Sequence, residues 1–336
     1  MLPSYNAYNR RHPYHSLSRP THAASSLRDR LLSRSRVTNL GLILIGCILG
    51  LSLLSNLRYI LLLSESKLRA PTIPPLIADT VSYNSSESQL DHLIVVAGHA
   101  IWKGVSPLEY EKDSEWVLDV AQAGHGNPRA FYAHIAKGAQ LALEDKYSLL
   151  VFSGGQTRKP THLTEAQSYL SLALSTGLLP LSASSGPFER ATTEDFALDS
   201  FQNLLFSVAR FRERTGWYPR RITVVGFGVK KERFEKLHAR AIRWPVRMFK
   251  YVGVDVDGQG DLEASRAGEF KNGFTPYTHD LYGCHDFLAA KRRSRNVGAR
   301  FHPYHTSAPE LTDLLDWCPP SRHQLFSGPL PWSPAH

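Results

Sequence analysis

Cysteine is scarce in this sequence, with three residues among 336. Cys47 lies within a long apolar run, which leaves only Cys284 and Cys318 for the rest of the chain. No second pair of cysteines supports a zinc site, so we predict no metal centre. The sequence leaves open whether Cys284 and Cys318 form a disulfide.

Signatures of three functional classes are also absent. No G-x-G-x-x-G follows the first apolar run of the body, which argues against a nicotinamide-dependent dehydrogenase. Ser153 precedes Gly154 and Gly155 without the G-x-S-x-G elbow of classical serine hydrolases. The body has no basic stripe interleaved with aromatics, and most of the formal charge of +9 lies in residues 1–36, with seven arginines and one aspartate. We therefore predict no nucleic-acid binding.

Charge is missing from the stretch between Arg36 and Arg58. About twenty apolar residues span the ~30 Å hydrocarbon layer as a helix. No small-x-small cleavage site follows, so we favour an uncleaved signal anchor over a cleaved signal peptide. The arginines that precede the run predict a cytosolic N-terminus and a body in the lumen of the ER or Golgi.

Two further features bear on this topology. Asn84-Ser85-Ser86 is a glycosylation sequon, which fits a lumenal body and predicts a glycoprotein. Residues 1–36 are rich in Arg and Ser and almost free of acidic residues, as a mitochondrial transit peptide would be. A mitochondrial membrane is therefore the alternative location.

Composition and pattern divide the chain into five segments. No internal repeat is visible. The predicted segments are a disordered basic tail (1–36), a transmembrane anchor (37–63), a linker (64–90), a globular domain (91–320) and a C-terminal tail (321–336).

The globular segment alternates apolar runs with helical patterns. Near-continuous apolar runs that end in Gly or Asp indicate strands buried on both faces, hence a parallel sheet. The runs are HLIVVAG (92–98), SLLVFSG (148–154), RITVVGFG (221–228) and FKYVGVDV (249–256), and helical patterns at 130–146, 164–177 and 194–216 lie between them. This predicts a Rossmann-like, three-layer α/β/α doubly wound domain with a mostly parallel sheet.

A ligand site is expected where these strands end, because open parallel sheets bind ligands beyond their carboxyl ends. Glycines there allow close backbone approach, and we expect their N–H groups to face a cleft that holds an anion. The predicted ligand-binding residues are Gly98, His99, Ser153, Gly154, Gly155, Glu189, Asn203, Gly226, Gly228, Lys230 and Lys231.

The carboxylates at this edge have two readings. Glu165 follows Thr164, which is a predicted helix N-cap, and a first-turn acid is also favoured by the helix dipole alone. Thr192 with Asp195 fits a capping box that opens the long helix. If Glu165, Glu189 and Glu194 instead converge at the sheet edge, they are suited to general acid–base catalysis or to binding one divalent cation.

The motifs resemble the SanA/YdcF/ElyC-like family (domain of unknown function two-eighteen), especially its fungal membrane-anchored members. The resemblance rests on LIVVAGHA, VFSGGQTRKPTHLTEAQSYL, FERATTEDFALDSFQNLLFSVARF and TVVGFGVKKERFEKLHARAI, within about residues 91–256. Its strongest element is the Ser-Gly-Gly turn followed by a Thr-Glu-Ala helix start. Bacterial members are implicated in cell-envelope integrity, and one is reported to bind S-adenosylmethionine. No reaction is established for the family.

The resemblance places family positions on particular residues of this chain. The glycine turns correspond to Gly98 and to Ser153, Gly154 and Gly155, and the helix-start acid corresponds to Glu165. The polar segment corresponds to Glu189, Thr193, Glu194, Ser200 and Asn203. Two stretches depart from the bacterial pattern: Gly98-His99-Ala100 has fewer glycines, and GFGVKKERF has lysines where bacterial members often carry Ser and His.

These observations predict a single-pass membrane protein whose α/β domain binds a small phosphate- or nucleotide-bearing ligand. Hydrolase or transferase chemistry would use Glu165 and Glu194. The alternative is a non-catalytic, ligand-sensing module in envelope or secretory-pathway homeostasis. The sequence identifies no cofactor and no protein partner.

Histidines are frequent in the C-terminal third, as in His302-Pro303-Tyr304-His305. A structural or surface role is favoured for them. The alternative reading places Asp280, Tyr282 and His285 in a lid over the sheet edge.

Overall fold

The computed structural model describes residues 34–68, 72–83, 89–120, 122–180, 188–256 and 262–333. The chain divides into two compact units, Met1–Ala70 and Pro71–His336, which we describe separately. Asn84 of the predicted sequon and residues 1–33 of the predicted tail lie outside the described residues.

The first unit contains one long helix, α1 (Arg34–Leu68). Within it, Asn39–Leu61 forms a stretch of 23 residues with a mean hydropathy of 2.2 and no burial. This stretch is long and apolar enough to cross a membrane. It fits the predicted anchor, and by length and composition it also fits a signal sequence.

The second unit is built on a parallel sheet of five strands in the order β5-β4-β1-β6-β7. The four predicted strands are confirmed, and each pair is parallel. The predicted strands are β1 (His92–Ala97), β4 (Ser148–Ser153), β6 (Arg221–Gly226) and β7 (Phe249–Gly253), and the fifth strand, which was not predicted, is β5 (Ala191–Glu194). Two short strands, β2 (Ile101–Trp102) and β3 (Trp116–Val117), pair antiparallel beside the sheet.

Helices cover both faces of the sheet. The helices described in this unit are α2 (Pro75–Ala78), which has no buried residue, α3 (Asn127–Glu144), α4 (Glu165–Ser175), α5 (Ser200–Thr215), a π-helix (Arg233–His238) continued by α6 (Ala239–Ala241), α7 (Leu262–Glu269), a π-helix (Phe270–Phe274) continued by α8 (Thr275–His279), α9 (Asp286–Arg295), α10 (Tyr304–Ser307) and α11 (Thr312–Leu315).

Alternation along the strands builds two apolar layers. Val96 of β1 packs in one cluster with Phe131 of α3 and Tyr169 of α4. Val95 packs in the other cluster, with Phe211 of α5 and residues of the C-terminal helices. Since successive strand residues point to opposite faces, both faces of the sheet are buried. The predicted three-layer α/β/α Rossmann-like fold is confirmed.

Strand β5 corrects one sequence prediction. The capping box of Thr192 and Asp195 is wrong, because Thr192 lies in β5 opposite Val151 of β4. The long helix begins six residues after the predicted start, at Ser200, where the carboxylate of Asp199 accepts a hydrogen bond from the Gln202 N–H at 2.9 Å. Strand pairing at the sheet edge decides the conformation of residues 191–194, and the local sequence pattern does not show this pairing.

Caps predicted for two other helix ends are confirmed. Thr164 Oγ1 accepts a hydrogen bond from the Gln167 N–H at 3.0 Å and begins α4. Gly216 ends α5 with a φ of 91°, a left-handed conformation that favours glycine.

The strand order places a topological switch between β1 and β6. From β1 the chain winds outward to β4 and β5, then returns past β1 to β6 and β7. In doubly wound sheets the loops after two such central strands diverge and leave a crevice at the carboxyl edge. The residues after Ala97 and Gly226 therefore flank the expected binding crevice.

Candidate functional site

A cavity of about 650 Å³ occupies the carboxyl edge of the sheet. Its floor includes Gly98 and His99 after β1 and Phe227 and Lys230 after β6, so it lies at the topological switch. The start of α5 forms a second side, and residues of α7 and α9 cover it from the C-terminal part of the chain.

Four basic side chains line one side of this cavity, and we call them the basic arc: Lys230, Arg233, Lys291 and Arg295. Arg233 is paired, because its Nε and Nη2 donate to the two carboxylate oxygens of Glu269 at 2.7 and 2.9 Å. Arg295 Nη1 donates to the Leu198 carbonyl at 2.9 Å. Among the described ion pairs, none involves Lys230 or Lys291, so neither ammonium group is paired with a carboxylate.

Lys230 follows β6 and lies next to His99. Its Nζ is 3.2 Å from His99 Nδ1 and 5.1 Å from the centroid of the Phe227 ring. Burial, followed by the positive charge of Arg233, lowers the pKa of Lys230 to about 7. Burial, Arg295 and Arg233 lower the pKa of Lys291 to about 8. Both ammonium groups therefore lie where a bound anion would restore their ordinary basicity.

Aromatic rings adjoin the basic arc. His99 stacks on Phe227 with centroids 4.9 Å apart, and Phe131 lies 5.6 Å from His99. Burial holds the pKa of His99 well below its usual value, so its imidazole is neutral at pH 7. This wall places the stacked rings of His99 and Phe227 next to cationic groups.

The opposite side of the cavity carries Glu165, the first residue of α4. Thr157 donates a hydrogen bond from its hydroxyl to Glu165 Oε1. Arg158 is held next to it, since its Nη1 donates to Asp119 at 2.7 Å and its Nη2 to the His99 carbonyl at 3.0 Å. Arg158 is thus a fixed, paired cation, and Glu165 is the carboxylate of this wall that could exchange a proton with a ligand.

The glycines at the strand ends have a different role from the predicted one. The N–H groups of Gly98, Gly154 and Gly155 donate to the carbonyls of Ser153, Glu194 and Ala197, at 2.7 to 2.9 Å. These N–H groups therefore form hydrogen bonds within the sheet edge and do not face the cleft. A Cβ on Gly98 or Gly154 would lie 2.7 Å from Glu165 Oε2, so both glycines make room for the Glu165 side chain.

The structure separates the predicted site residues into two groups. Gly98, His99, Glu165, Asn203 and Lys230 line the cavity. The remaining predictions are not among the described residues that line it: Ser153, Gly154, Gly155, Glu189, Glu194, Gly226, Gly228 and Lys231.

Two of these residues point away for simple geometric reasons. Glu189 precedes β5 and is exposed, so it lies at the amino edge of a parallel sheet, opposite the cavity. Lys231 is exposed and pairs with Glu235 at 2.8 Å on the outer surface of its helix. Gly228 donates its N–H to Asp255 Oδ1 at 3.0 Å, which closes the loop after β6.

Glu194 is a buried structural carboxylate. It is fully inaccessible and accepts hydrogen bonds from the hydroxyls of Ser153 (2.7 Å) and Tyr304 (3.1 Å) and from the Phe196 N–H (2.9 Å). Burial raises the pKa of Glu194 to about 7. It joins β4, β5 and α10 below the cavity, so the predicted convergence of Glu165 and Glu194 does not occur.

Of the four residues of the basic arc, only Lys230 was predicted from the sequence. Arg233 follows Lys230 by three residues, so helical spacing was a usable signal for it. Lys291 and Arg295 lie in α9, four residues apart on one helical face, and nothing local connects that face to the sheet.

The predicted lid is also wrong: the carboxylate of Asp280 binds the Cys284 and His285 N–H groups, and Tyr282 donates its hydroxyl to the Ala241 carbonyl. Residues 262–273, 291 and 295 cover the cavity instead.

Cys284 and Cys318 form a disulfide that closes a 34-residue separation. It links the segment before α9 to the segment after α11. This resolves the pairing that the sequence left open, and it fits an oxidising compartment.

Fold and site together define a Rossmann-like α/β protein with a cavity of mixed basic and aromatic lining at the switch point. The chain is similar to the uncharacterized protein YOR238W of Saccharomyces cerevisiae, with 30% identity over 262 residues that cover 63% of this chain and 86% of the yeast protein. It therefore belongs to the same family as that yeast protein. No family model matches the chain, and no solved structure matches it.

Proposed function

We propose that the α/β domain binds a small phosphate- or nucleotide-bearing ligand in the switch-point cavity. The observation that carries this proposal is the basic arc: Lys230 and Lys291 lie in the cavity without a described ion pair. Two half-buried ammonium groups without an ion pair are costly unless an anion neutralises them. A phosphate or diphosphate supplies two or more negative charges in a compact group.

Size and shape support a ligand of nucleotide dimensions. The cavity of about 650 Å³ falls within the ~300–1,000 Å³ range of small-molecule sites. The stacked rings of His99 and Phe227 line the cavity next to the arc, which suits a planar base attached to phosphates. The anion would be bound by side chains, because the glycine N–H groups are used within the sheet.

The enzymatic form of this proposal is a hydrolase or transferase that uses Glu165 as its acid or base. Glu165 lines the cavity across from the basic arc, as general acid–base work on a bound phosphate ester requires. The second candidate is a non-catalytic ligand sensor in envelope or secretory-pathway homeostasis. The position of Glu194 favours this candidate, since only one of the two expected carboxylates reaches the cavity.

Neighbouring residues offer a matched test of binding. The full chain in detergent is titrated with ADP and with pyrophosphate by calorimetry. Lys230→Gln and Arg295→Gln should each lose about tenfold or more in affinity, whereas the exposed neighbours Lys231→Gln and Arg293→Gln should retain it. Equal affinities in all four variants, with melting temperatures near that of the parent, would refute the proposed site.

A second measurement separates the two forms. The release of phosphate or transfer to an acceptor is followed in the parent and in Glu165→Gln. An enzyme loses turnover while it keeps ligand affinity, because the neutral amide cannot exchange a proton. A sensor shows binding in both proteins and turnover in neither.

We further propose that the chain is a type II, single-pass glycoprotein with its α/β domain in the lumen of the ER or Golgi, and that it is a fungal-type relative of the SanA/YdcF/ElyC-like proteins. The apolar helix, the arginines before it and the disulfide support the topology. The mitochondrial membrane is the competing location, and nucleic acid is not among the proposed partners.

A further inference from the structure

Four potential metal ligands lie together around the disulfide, and we call them the cysteine cluster: Asp280, Cys284, His285 and Cys318. The sulfur and nitrogen atoms of Cys284, His285 and Cys318 all lie within 4.8 Å of one another. The cluster lies apart from the cavity, because none of its members is among the described residues that line it.

One atom, His285 Nδ1, is central to the cluster. It is 3.3 Å from Cys284 Sγ, 3.9 Å from Cys318 Sγ and 3.3 Å from Asp280 Oδ1. Cys284 Sγ is 4.0 Å from Asp280 Oδ1. Asp280 is 5% exposed, and among the described ion pairs it has only His285 as a basic partner.

These separations are close to those of a tetrahedral zinc site. Metal–ligand bonds of ~2.0 Å to oxygen or nitrogen and ~2.3 Å to sulfur place neighbouring ligands about 3.3 to 3.8 Å apart. Every distance from His285 Nδ1 is already within a few tenths of an ångström of that range. The disulfide must break, since bonded sulfurs cannot both bind a metal. The Asp280 carboxylate must also move closer to Cys318 Sγ, because the ligand atoms that already lie within 4.8 Å of one another are those of Cys284, His285 and Cys318.

We propose that reduction of the Cys284–Cys318 disulfide converts the cysteine cluster into a site for one zinc ion, with two thiolates, the His285 imidazole and the Asp280 carboxylate as ligands. A dithiol reductant supplies two electrons and two protons, breaks the S–S bond to give two thiols, and becomes a disulfide itself. Zinc then binds the two thiolates, and the two thiol protons go to solvent. Thiolate, imidazole and carboxylate are all zinc ligands.

Either form holds the same two segments together. His285 is the residue before α9, and α9 carries Arg292, which donates to Asp199 and, at 2.6 Å, to the Tyr282 carbonyl. In an oxidising compartment the disulfide makes this cross-link, and in a reducing one the metal makes it. The position of α9 is thereby kept in both environments.

The test uses cobalt, which reports its own ligands. The full chain in detergent carries Cys47→Ser, which removes the remaining thiol outside the cluster. After reduction and anaerobic removal of the reductant, we expect one Co²⁺ per chain, with thiolate-to-cobalt charge-transfer absorption and tetrahedral ligand-field bands. Zinc should abolish both signals by displacement, and the oxidised chain should show neither.

Matched variants identify the ligands. Cys318→Ser should lose most of the charge-transfer absorption, and His285→Asn should lose the tetrahedral bands, whereas His305→Asn, which changes an exposed histidine paired with Asp316, should behave as the parent. A reduced parent that gives no thiolate–cobalt absorption, folded or not, overturns the proposal. An unchanged spectrum in Cys318→Ser overturns it equally.

Discussion

Lys230 Nζ lies 3.2 Å from Nδ1 of His99. His99 follows β1 and Lys230 follows β6, so this contact joins the ends of the two strands that flank the topological switch. Because the His99 imidazole is neutral, its Nδ1 can accept a hydrogen bond from the ammonium without supplying a counter-charge. The Lys230 charge is oriented and yet uncompensated, which makes its protonation sensitive to a bound anion.

Anion affinity should fall as pH rises. Lys230, with a pKa of about 7, is charged below that pH and neutral above it. Affinity for sulfate, whose charge does not change in this range, should decline above pH 7 with a slope approaching about tenfold per pH unit. Lys291, with a pKa of about 8, adds a loss in the same direction. Calorimetric titrations from pH 6 to 9 measure this slope.

The matched control for this profile is the adjacent lysine. Lys230→Gln should flatten the slope near pH 7, whereas Lys231→Gln should retain it. In the unliganded parent, the lowered pKa also makes the unfolding free energy rise between about pH 7 and 10.5, because the unfolded chain then holds the proton that the folded one lacks. An unchanged slope in Lys230→Gln would assign the pH dependence to another group.

Glu194 should matter for stability and not for binding. Glu194→Ala leaves the Tyr304 hydroxyl and the Phe196 N–H without their acceptor, whereas Ser153 Oγ keeps Asn203 Oδ1 at 3.1 Å. The change should lower the free energy of unfolding by about 2–4 kcal/mol. Glu189→Ala, at an exposed position, should change it by less than about 0.5 kcal/mol. Urea denaturation measures both values, and ligand affinity of the folded fraction should match the parent. A loss of ligand affinity in the folded Glu194→Ala variant would show that Glu194 takes part in ligand binding.

The same carboxyl predicts a pH effect on folding. Its pKa rises from 4.5 in the unfolded chain to about 7 in the folded one, so its contribution to stability is present below pH 4.5 and is lost as pH rises through 7. Glu194→Gln should make the unfolding free energy less dependent on pH in this window. The comparison needs denaturation curves of both proteins at several pH values.

Gly98 should not tolerate a side chain. A Cβ at this position would lie 2.7 Å from the Cβ of Glu165 and 3.1 Å from the Ser153 carbonyl oxygen. Gly98→Ala should therefore lower the free energy of unfolding by about 1–3 kcal/mol. Gly268, in α7, has no atom within 4 Å of its would-be Cβ, so Gly268→Ala should be neutral or stabilising by up to about 1 kcal/mol. Similar melting temperatures for the two variants would show that the turn can adjust.

Glu269 should oppose anion binding while it stabilises the empty protein. Its carboxylate pairs with both Nε and Nη2 of Arg233 next to the basic arc. Glu269→Gln removes this negative charge, which should raise sulfate affinity and lower the free energy of unfolding by about 1–3 kcal/mol without ligand. Glu235→Gln, on the exposed side of the same region, is the control and should change neither. A weaker sulfate affinity in Glu269→Gln would contradict an electrostatic role for the arc.

Topology is tested by protease protection. A tag after His336 should be protected in intact microsomes and digested once detergent is added, because the arginines before α1 hold the N-terminus in the cytosol. Asn84→Gln should also remove a glycosidase-sensitive mass shift. A tag that is digested in intact microsomes would rule out the lumenal orientation, and recovery of the chain in mitochondria would support the alternative location.

The sequence by itself determined the features that depend on neighbouring residues. Three central strands, β1, β4 and β6, were readable because residues buried on both faces form unbroken apolar runs, and the edge strand β7 was readable from its apolar and aromatic residues. The cap at Thr164 and the left-handed Gly216 were readable because they satisfy local backbone groups. The long apolar helix was readable because an unbroken run of apolar residues is also a local pattern. Each of these patterns needs no information about distant parts of the chain.

Only the tertiary structure decided which polar groups meet. Lys230 and Lys231 are adjacent in sequence, yet Lys230 is half-buried in the cavity and Lys231 is exposed, because the loop after β6 packs against His99 and α9. Glu194 is held beneath the sheet edge by hydrogen bonds from the hydroxyls of Ser153 and Tyr304. Cys318 forms a disulfide with Cys284, which lies 34 residues away in the sequence. Contacts between distant segments set burial and charge pairing, and local pattern carries no record of them.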